Sequence, residues 1–390
     1  MNSYLACLFF FKAGIGALLL VGAWNGLEVS ASPLVTLALL IFLTFSPAIF
    51  AKPLTNYLLA KNFKYLFPIL VTSIVTSIFA LANLELNFDS WFLTCYFLIW
   101  AMIFVGENFL EFWLYTIIQK DSSINSLTAH SRSMLFLQLG TLFGPGVILG
   151  IKALVAGTDA SDIFAYAATI FIPMLFFFPK ESMKGEAQVD DSIAGREIPD
   201  NKQMLLIFAF SVSLIWMVIG LFNYAIPVVV KEILGLNMVH IAMAEVAFAA
   251  SMGFSGLTRL ANFESRIDHK KIFLLVSGVF LAVLFFNWGN LYFLFFGVVY
   301  LGFAFGKSPI YLKEIIGETL LPQESAKVIA LGNAFSAVIV MIAIIFSYLE
   351  YSIIKMTEYH FSIVLIVGIN LHFLVVSRIL GLGKTGYESN

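Results

Sequence analysis

Uninterrupted apolar segments of about 20 residues recur along the whole chain, and mostly short polar stretches separate them. A helix of that length spans the hydrocarbon core of a bilayer, whereas a soluble core cannot hide so many long apolar helices. Apolar residues make up 60% of the 390 residues, charged residues only 12%, and the mean hydropathy is +0.94. The apolar runs are continuous rather than alternating, which excludes a β-barrel. We therefore expect an all-α polytopic membrane protein, not a soluble enzyme, a disordered chain or a nucleic-acid binder.

Twelve membrane spans are predicted, six on each side of the longest hydrophilic stretch. The spans cover residues 4–24, 33–51, 65–84, 91–118, 134–155, 163–179, 204–230, 240–258, 272–287, 291–312, 325–349 and 358–380. Span 1 lacks a basic leading segment, so it is interpreted as a retained helix rather than a signal peptide. The predicted organisation is an N-terminal six-helix bundle at 1–179, a cytoplasmic linker at 180–203 and a C-terminal six-helix bundle at 204–390.

The distribution of lysine and arginine predicts the orientation of these spans. Cytoplasmic loops carry an excess of basic residues. With the N-terminus in the cytoplasm, 18 of the 22 Lys and Arg residues fall in inner loops, flanks and the tail, while Lys12 lies within span 1. Only Lys152, Lys231 and Lys355 fall outside. Both termini and the linker are therefore expected to be cytoplasmic, in the inner membrane.

Several motifs support a family resemblance. Span 5 contains QLGTLFGPGVILG at 138–150, and LPQESAKVIALGNAFSA at 321–337 leads into span 11. Two six-helix halves with these segments resemble the major facilitator superfamily of secondary transporters, in particular its drug- and siderophore-exporter branch. The loop after span 2, AKPLTNYLLAKNFKYLF at 51–67, lacks the Asp-Arg pair of that family, and the family's usual Arg on span 4 is also absent. The resemblance implies a two-half fold with a central cavity lined by spans 1, 4, 7 and 10.

Small residues form stripes on two spans that face each other in this family. Helices in lipid rely on small residues for close contact. The resemblance therefore implies that a moving contact between spans 5 and 8 involves Gly140, Gly144, Pro145, Gly146, Gly253 and Gly256. Ordinary close packing within one half is the alternative.

Three ionisable residues within spans are the main functional candidates, because a charge inside a membrane is costly. Glu107 and Glu111 lie four residues apart and share one face of span 4, and Lys12 falls at a similar depth in span 1. We expect the three to form one cluster at the cavity wall, with the glutamates exchanging protons. A static charge-neutralising network is the alternative. Glu245 on span 8 is a second proton-coupling candidate.

Polar and aromatic residues on the lining spans are predicted to bind the substrate together with Lys12. They are Trp100, Phe104, Gln138, Asn223, Tyr224 and Tyr300. Asn223 lies shortly before Pro227, which suggests a broken turn and a bendable gate in span 7. Lys313, at the inner end of span 10, is interpreted as an anchor that reaches towards the interface.

The resulting hypothesis is a secondary active transporter that moves a small drug-like or siderophore-like molecule by alternating access. Coupling to a proton gradient and export are expected, with no bound cofactor. We expect a monomer in the lipid bilayer, with a small-molecule substrate and no nucleic acid as partner. The alternatives are an uptake symporter or a lipid or lysolipid flippase of the same fold. A membrane-embedded enzyme or a receptor is disfavoured, because neither a nucleotide-binding motif nor a catalytic constellation is present in the sequence.

Overall fold

The computed structural model is helical, with no strand among the residues it describes. The described residues are 1–28, 33–60, 66–83, 90–120, 126–155, 160–178, 202–260, 290–320 and 322–349. Predicted spans 9 and 12 and residues 180–201 of the predicted linker lie outside them. The boundaries of the two halves and of the linker therefore stay predictions.

Eleven α-helices are present in the described part of the chain. In the N-terminal half they are α1 Asn2–Glu28, α2 Pro33–Phe45, α3 Ala48–Ala60, α4 Leu66–Ala82, α5 Ser90–Lys120, α6 Ser126–Leu154 and α7 Ala160–Thr169. In the C-terminal half they are α8 Lys202–Val228, α9 Met238–Leu260, α10 Leu291–Thr319 and α11 Pro322–Leu349. Predicted span 2 corresponds to α2 and α3, and spans 3, 4 and 5 correspond to α4, α5 and α6. Spans 7, 8, 10 and 11 correspond to α8, α9, α10 and α11.

Four of these helices are long and apolar enough to cross a membrane, within the part of the chain that the structure describes. They cover Asn2–Leu27, Ser90–Ile118, Thr128–Leu154 and Met238–Leu257. A helix satisfies its backbone hydrogen bonds internally, which is why an apolar chain in lipid becomes helical. These helices support the predicted multi-pass membrane protein.

Proline positions explain where three predicted spans are interrupted. Span 2 breaks at Pro47, which has no N–H to donate, and α3 restarts with the Ala51 N–H donating to the Pro47 carbonyl at 3.0 Å. Span 6 consists of α7 followed by a 3-10 turn at Ile172–Phe176. Span 7 continues helically past Asn223 and passes into a π-helical turn at Val229–Ile233, directly after Pro227. The irregular turn that the Asn223–Pro227 segment predicts for span 7 thus lies directly after Pro227 rather than at Asn223.

The packing of the helices places α1 at the centre of the N-terminal half. In the most apolar stretch of α1, 78% of the residues are buried, against 33% in α6. α1 packs most closely on α6, α8 on α11, and α9 on α10. The two halves meet where α6 packs on α9 and where α11 packs on α2 and α3. The contact between spans 5 and 8 that the resemblance implies is thus observed, and span 11 packs on span 2.

Candidate functional site

A cavity of about 80 Å³ lies between the two halves. This volume holds a few water molecules. Its walls come from α1, α5 and α6 on one side and from α8, α9, α10 and α11 on the other. The polar residues that line it are Tyr4, Lys12, Glu107, Glu111, Gln138, Lys313 and Asn333. The cavity is therefore lined by Lys12, Glu107 and Glu111, the main ionisable candidates of spans 1 and 4, and by Lys313.

Lys12 and Glu107 form a buried ion pair between α1 and α5. The Lys12 ammonium group donates a hydrogen bond to Glu107 Oε1, and the two residues are 7% and 9% exposed. An unpaired charge at this burial would destabilise the protein, because its desolvation penalty would not be offset by attraction to an opposite charge. The structure thus brings together two of the three residues of the predicted cluster.

Glu111 forms an ion pair with a second lysine. It accepts a hydrogen bond from the Lys313 ammonium group of α10, so the pair links the N-terminal half to the C-terminal half. Glu111 lies four residues after Glu107, which is a distance of about 6 Å along the axis of α5. That displacement places Glu111 against Lys313, which the sequence alone had suggested was an interfacial anchor. Lys12, Glu107 and Glu111 thus line one cavity, and Lys313 joins them there as the partner of Glu111.

The charges that line the cavity cancel. Among its described lining residues, the two lysines face two carboxylates, and the remaining polar groups are amides and a phenol. Gln138 makes one hydrogen bond, to the Met134 sulfur at 3.5 Å. Asn333, which is 4% exposed, has an Oδ1 atom with no hydrogen-bond donor among the described residues. The cavity thus offers neutral hydrogen-bonding groups rather than a net charge.

Glu245 lies in a second, smaller space between the halves. The residues around this space include Thr44 of α2, Tyr96 of α5, and Asn223 of α8. Thr44 Oγ1 and the Tyr96 hydroxyl are 3.3 Å apart, and no described residue forms a hydrogen bond or an ion pair with the Glu245 carboxylate. Glu245 and Asn223 are therefore brought together, but in a place distinct from the cavity that Lys12 lines.

Four of the predicted substrate-binding residues line neither of these spaces. Trp100 and Phe104 are 3% and 5% exposed and pack within the apolar core, where the Trp100 ring meets Tyr96 edge-on at 6.2 Å. Tyr224 is 2% exposed in the same core, and Tyr300 packs against its edge. Trp100 lies seven residues, or about 10 Å along the axis of α5, from Glu107, so the two residues differ in depth rather than in helix face. Contact of these four residues with substrate stays a prediction.

The glycines of span 5 contact a different neighbour from the one implied by the resemblance. A β-carbon at Gly140 would meet Phe9 and Lys12, and one at Gly144 would meet Ala13 and Ala17, all on α1. Pro145 also lies against α1, close to Gly16, and a β-carbon at Gly146 would meet nothing within 4 Å. Their assignment to the contact between the halves is therefore wrong, because the narrow face of α6 is used for packing within its own half.

The glycines of span 8 do lie between the halves. A β-carbon at Gly253 would be 3.5 Å from Gln138 Cβ, and one at Gly256 would be 3.7 Å from Leu135 N, both on α6. These are ordinary contact distances, so the α6–α9 contact is close without depending on glycine. Movement along it stays a prediction.

Lys313 and Asn333 are cavity residues that the sequence analysis did not assign to the site. Asn333 is the asparagine in the apolar stretch LGNAFSAVIV of α11, and that isolation was an available signal. Lys313 carried no comparable signal, because basic residues are common at the inner ends of spans.

Comparison with known proteins gives a result only at the level of three-dimensional structure. No protein-family model matches the chain, and no curated protein is similar to it in sequence. The MFS (major facilitator superfamily) proton:xylose symporter XylE, solved with 6-bromo-6-deoxy-D-glucose, is similar with a TM-score of 0.67 at 13% identity, over 97% of this chain and 94% of that chain. The human organic anion transporter MFSD10 (TETRAN) has a TM-score of 0.64 at 15% identity, over 96% and 98%. The nucleoside transporter NupG has a TM-score of 0.62 at 14% identity, over 98% of each chain. These similarities extend over nearly the whole length, and this chain therefore has the major facilitator fold that its sequence predicted.

Proposed function

We propose that this protein is a secondary active transporter that moves a small organic molecule through the membrane by alternating access. The observation that carries the proposal is the cavity between the halves, lined by the Lys12–Glu107 and Glu111–Lys313 pairs. Cavities between the halves near the bilayer midplane are where transporters of this architecture bind their substrates. The protein acts as a monomer in the inner membrane, with both termini in the cytoplasm.

Coupling to protons follows from the position of Glu111. Its pair with Lys313 ties α5 to α10, so the two halves cannot separate at this end without breaking it. A proton bound to Glu111 removes the charge that attracts Lys313 and so favours separation. A ligand shifts a conformational equilibrium only by its different affinity for the two states, and a proton on Glu111 has that property.

Glu107 and Glu245 have different parts in this scheme. Glu107 is neutralised by Lys12, so its protonation would release Lys12 to the cavity. Glu245 has no counter-ion among the described residues, and an isolated carboxylate within a membrane is costly unless it binds a proton or a cation. Glu245 is therefore proposed as a second proton site on the outer side of the cavity.

The proposed substrate is a neutral, amphipathic, drug-like molecule. The cancelled charges of the cavity favour it over a cation, and they disfavour a siderophore with several carboxylates. Gln138 and Asn333 would supply the hydrogen bonds, and apolar neighbours such as Leu8 and Met252 would contact its apolar part. The proposed direction is export, because the Gly-Pro segment of α6 resembles that of the exporter branch of the family. Uptake by symport is the second candidate, because XylE is a proton:xylose symporter.

The test is transport into proteoliposomes under an imposed pH gradient of either polarity. The probes are radiolabelled chloramphenicol as a neutral aromatic compound, ethidium as a cation and citrate as a tricarboxylate. Accumulation of chloramphenicol that reverses with the gradient is expected. The proposal would be refuted if, for each of the three probes, uptake into proteoliposomes equalled uptake into protein-free liposomes.

Variants then separate proton coupling from substrate binding. Glu111→Gln should lower gradient-driven accumulation at least tenfold and preserve exchange at equal pH, because the site keeps its shape. Asp162→Asn, at an exposed position in the first turn of α7, is the matched control. Full gradient-driven accumulation by Glu111→Gln would show that this carboxylate does not carry the coupled proton.

A further inference from the structure

A group of buried polar residues lies beside the cavity, between α5 and the beginning of α6. His130 and Ser131 are 2% and 1% exposed, and Tyr115, one turn after Glu111, is 3% exposed. The His130 and Tyr115 rings meet at 61° with their centroids 5.5 Å apart. His130 precedes the cavity residue Gln138 by eight residues, or about 12 Å along α6. The group thus lies between the cavity and the predicted cytoplasmic end of the helix.

Five polar atoms of this group have no hydrogen-bond partner among the described residues. They are Nδ1 and Nε2 of His130, the hydroxyl oxygens of Tyr115 and Ser131, and Oε2 of Glu111. A buried polar atom without a partner costs about 1–3 kcal/mol. A histidine that only fills space in a helix bundle normally bonds through at least one ring nitrogen. Buried polar atoms that lack a protein partner are commonly bridged by internal water.

The charged and titratable groups around His130 come from three other helices. Glu111 and Tyr115 face it from α5, and Lys313 faces it from α10. Tyr4 of α1 lies near Glu111, with its hydroxyl 3.1 Å from Ser133 Oγ. Arg132, on the same helix as His130, is exposed and points away. The imidazole is therefore within electrostatic range of the ion pair that links the halves.

We propose that His130 passes protons between Glu111 and water at the predicted cytoplasmic face. The protonated Glu111 carboxyl gives its proton to a bound water as that water gives one of its own to one ring nitrogen, and the other ring nitrogen releases its proton to water on the far side. The ring then returns to its first tautomer, and no electron is transferred. The Tyr115 hydroxyl orients the water between the carboxylate and the imidazole. This inference rests on the proposed proton-coupled transport and names the route by which Glu111 exchanges its proton.

Chemical rescue distinguishes a proton carrier from a packing residue. His130→Ala is reconstituted in proteoliposomes and tested with the probe that wild-type protein accumulates, expected to be chloramphenicol. Gradient-driven accumulation should fall at least tenfold, and exchange at equal pH should stay within twofold of wild type. Added imidazole should restore at least a third of the lost rate. Pyrazole, which has the same shape but binds protons far more weakly, should not.

Two controls keep the outcome clear. His240→Gln removes another histidine, one that has a partner in Asn237 Oδ1 at 2.8 Å, and should leave both rates unchanged. Full gradient-driven accumulation by His130→Ala, or equal rescue by imidazole and pyrazole, would overturn the inference. So would failure of His130→Ala, His130→Gln and His130→Asn alike to give folded protein. A wild-type protein that ignores the pH gradient would instead refute the proposed function.

Discussion

Replacing Gly144 by alanine should destabilise the protein, whereas the same change at Gly146 should not. A β-carbon at residue 144 would overlap the carbonyl oxygen of Ala13 and lie 2.8 Å from Ala17 N. An ordinary contact begins at 3.4 Å, so the Ala17 contact alone requires α1 and α6 to separate by 0.6 Å, and the overlap with the Ala13 oxygen requires more. Both neighbours are backbone atoms, so no side-chain rotation can relieve the overlap.

The cost follows from the contacts that this separation weakens. A gap of 0.5–1 Å forfeits roughly a quarter to a half of the dispersion energy of each atom pair. A buried leucine makes about 40–60 such contacts at about 0.1–0.2 kcal/mol each, so one quarter for a single residue is about 1–3 kcal/mol. Because α1 is the most buried of the four long helices, we expect a loss of about 3 kcal/mol.

The assay is thermal unfolding of the purified protein in detergent. An unfolding entropy of about 2.1 cal/mol/K per residue over 390 residues converts a loss of about 3 kcal/mol into a decrease in Tm of about 4 °C. Gly146→Ala meets nothing within 4 Å and adds helix propensity, so its Tm should be unchanged or slightly higher. Equal Tm values for the two variants would refute the conclusion that Gly144 packs on α1. If Gly144 instead faced α9, its alanine variant would alter transport with little effect on Tm.

Three other predictions follow from the charges. Lys12→Met leaves Glu107 buried without its counter-ion and should lower the free energy of unfolding by about 3–5 kcal/mol. The double variant Lys12→Met with Glu107→Met should recover much of that loss, measured as yield and Tm. Losses that simply add in the double variant would argue against the ion pair. Glu245→Gln should lower Tm far less than Glu107→Gln, because no described residue bonds the Glu245 carboxylate; an equal loss would reveal a partner. A cysteine at Asp190, in a chain without Cys7 and Cys95, should resist an impermeant maleimide in intact cells; labelling would reverse the predicted orientation.

The sequence determined the fold class and one ion pair, because both depend on local costs in a bilayer. Each apolar segment of about 20 residues must become a helix in lipid, whatever its neighbours are. The depth of a residue in the membrane also follows from its position in its own helix, at about 1.5 Å per residue. The sequence could therefore show that Lys12 of α1 and the glutamates of α5 lie at similar depths. The contact between Lys12 and Glu107 agrees with that depth argument.

The rotation of each helix about its axis was decided only by tertiary packing. Glu111 and Lys313 are 202 residues apart, and their contact depends on how α5 and α10 turn towards each other. The face of α6 that carries Gly144 turned towards α1 rather than α9 for the same reason. A helix that is apolar on every side has no sequence pattern to indicate its orientation. Close packing of many side chains sets that orientation, and so only the three-dimensional structure could place His130 beside Glu111.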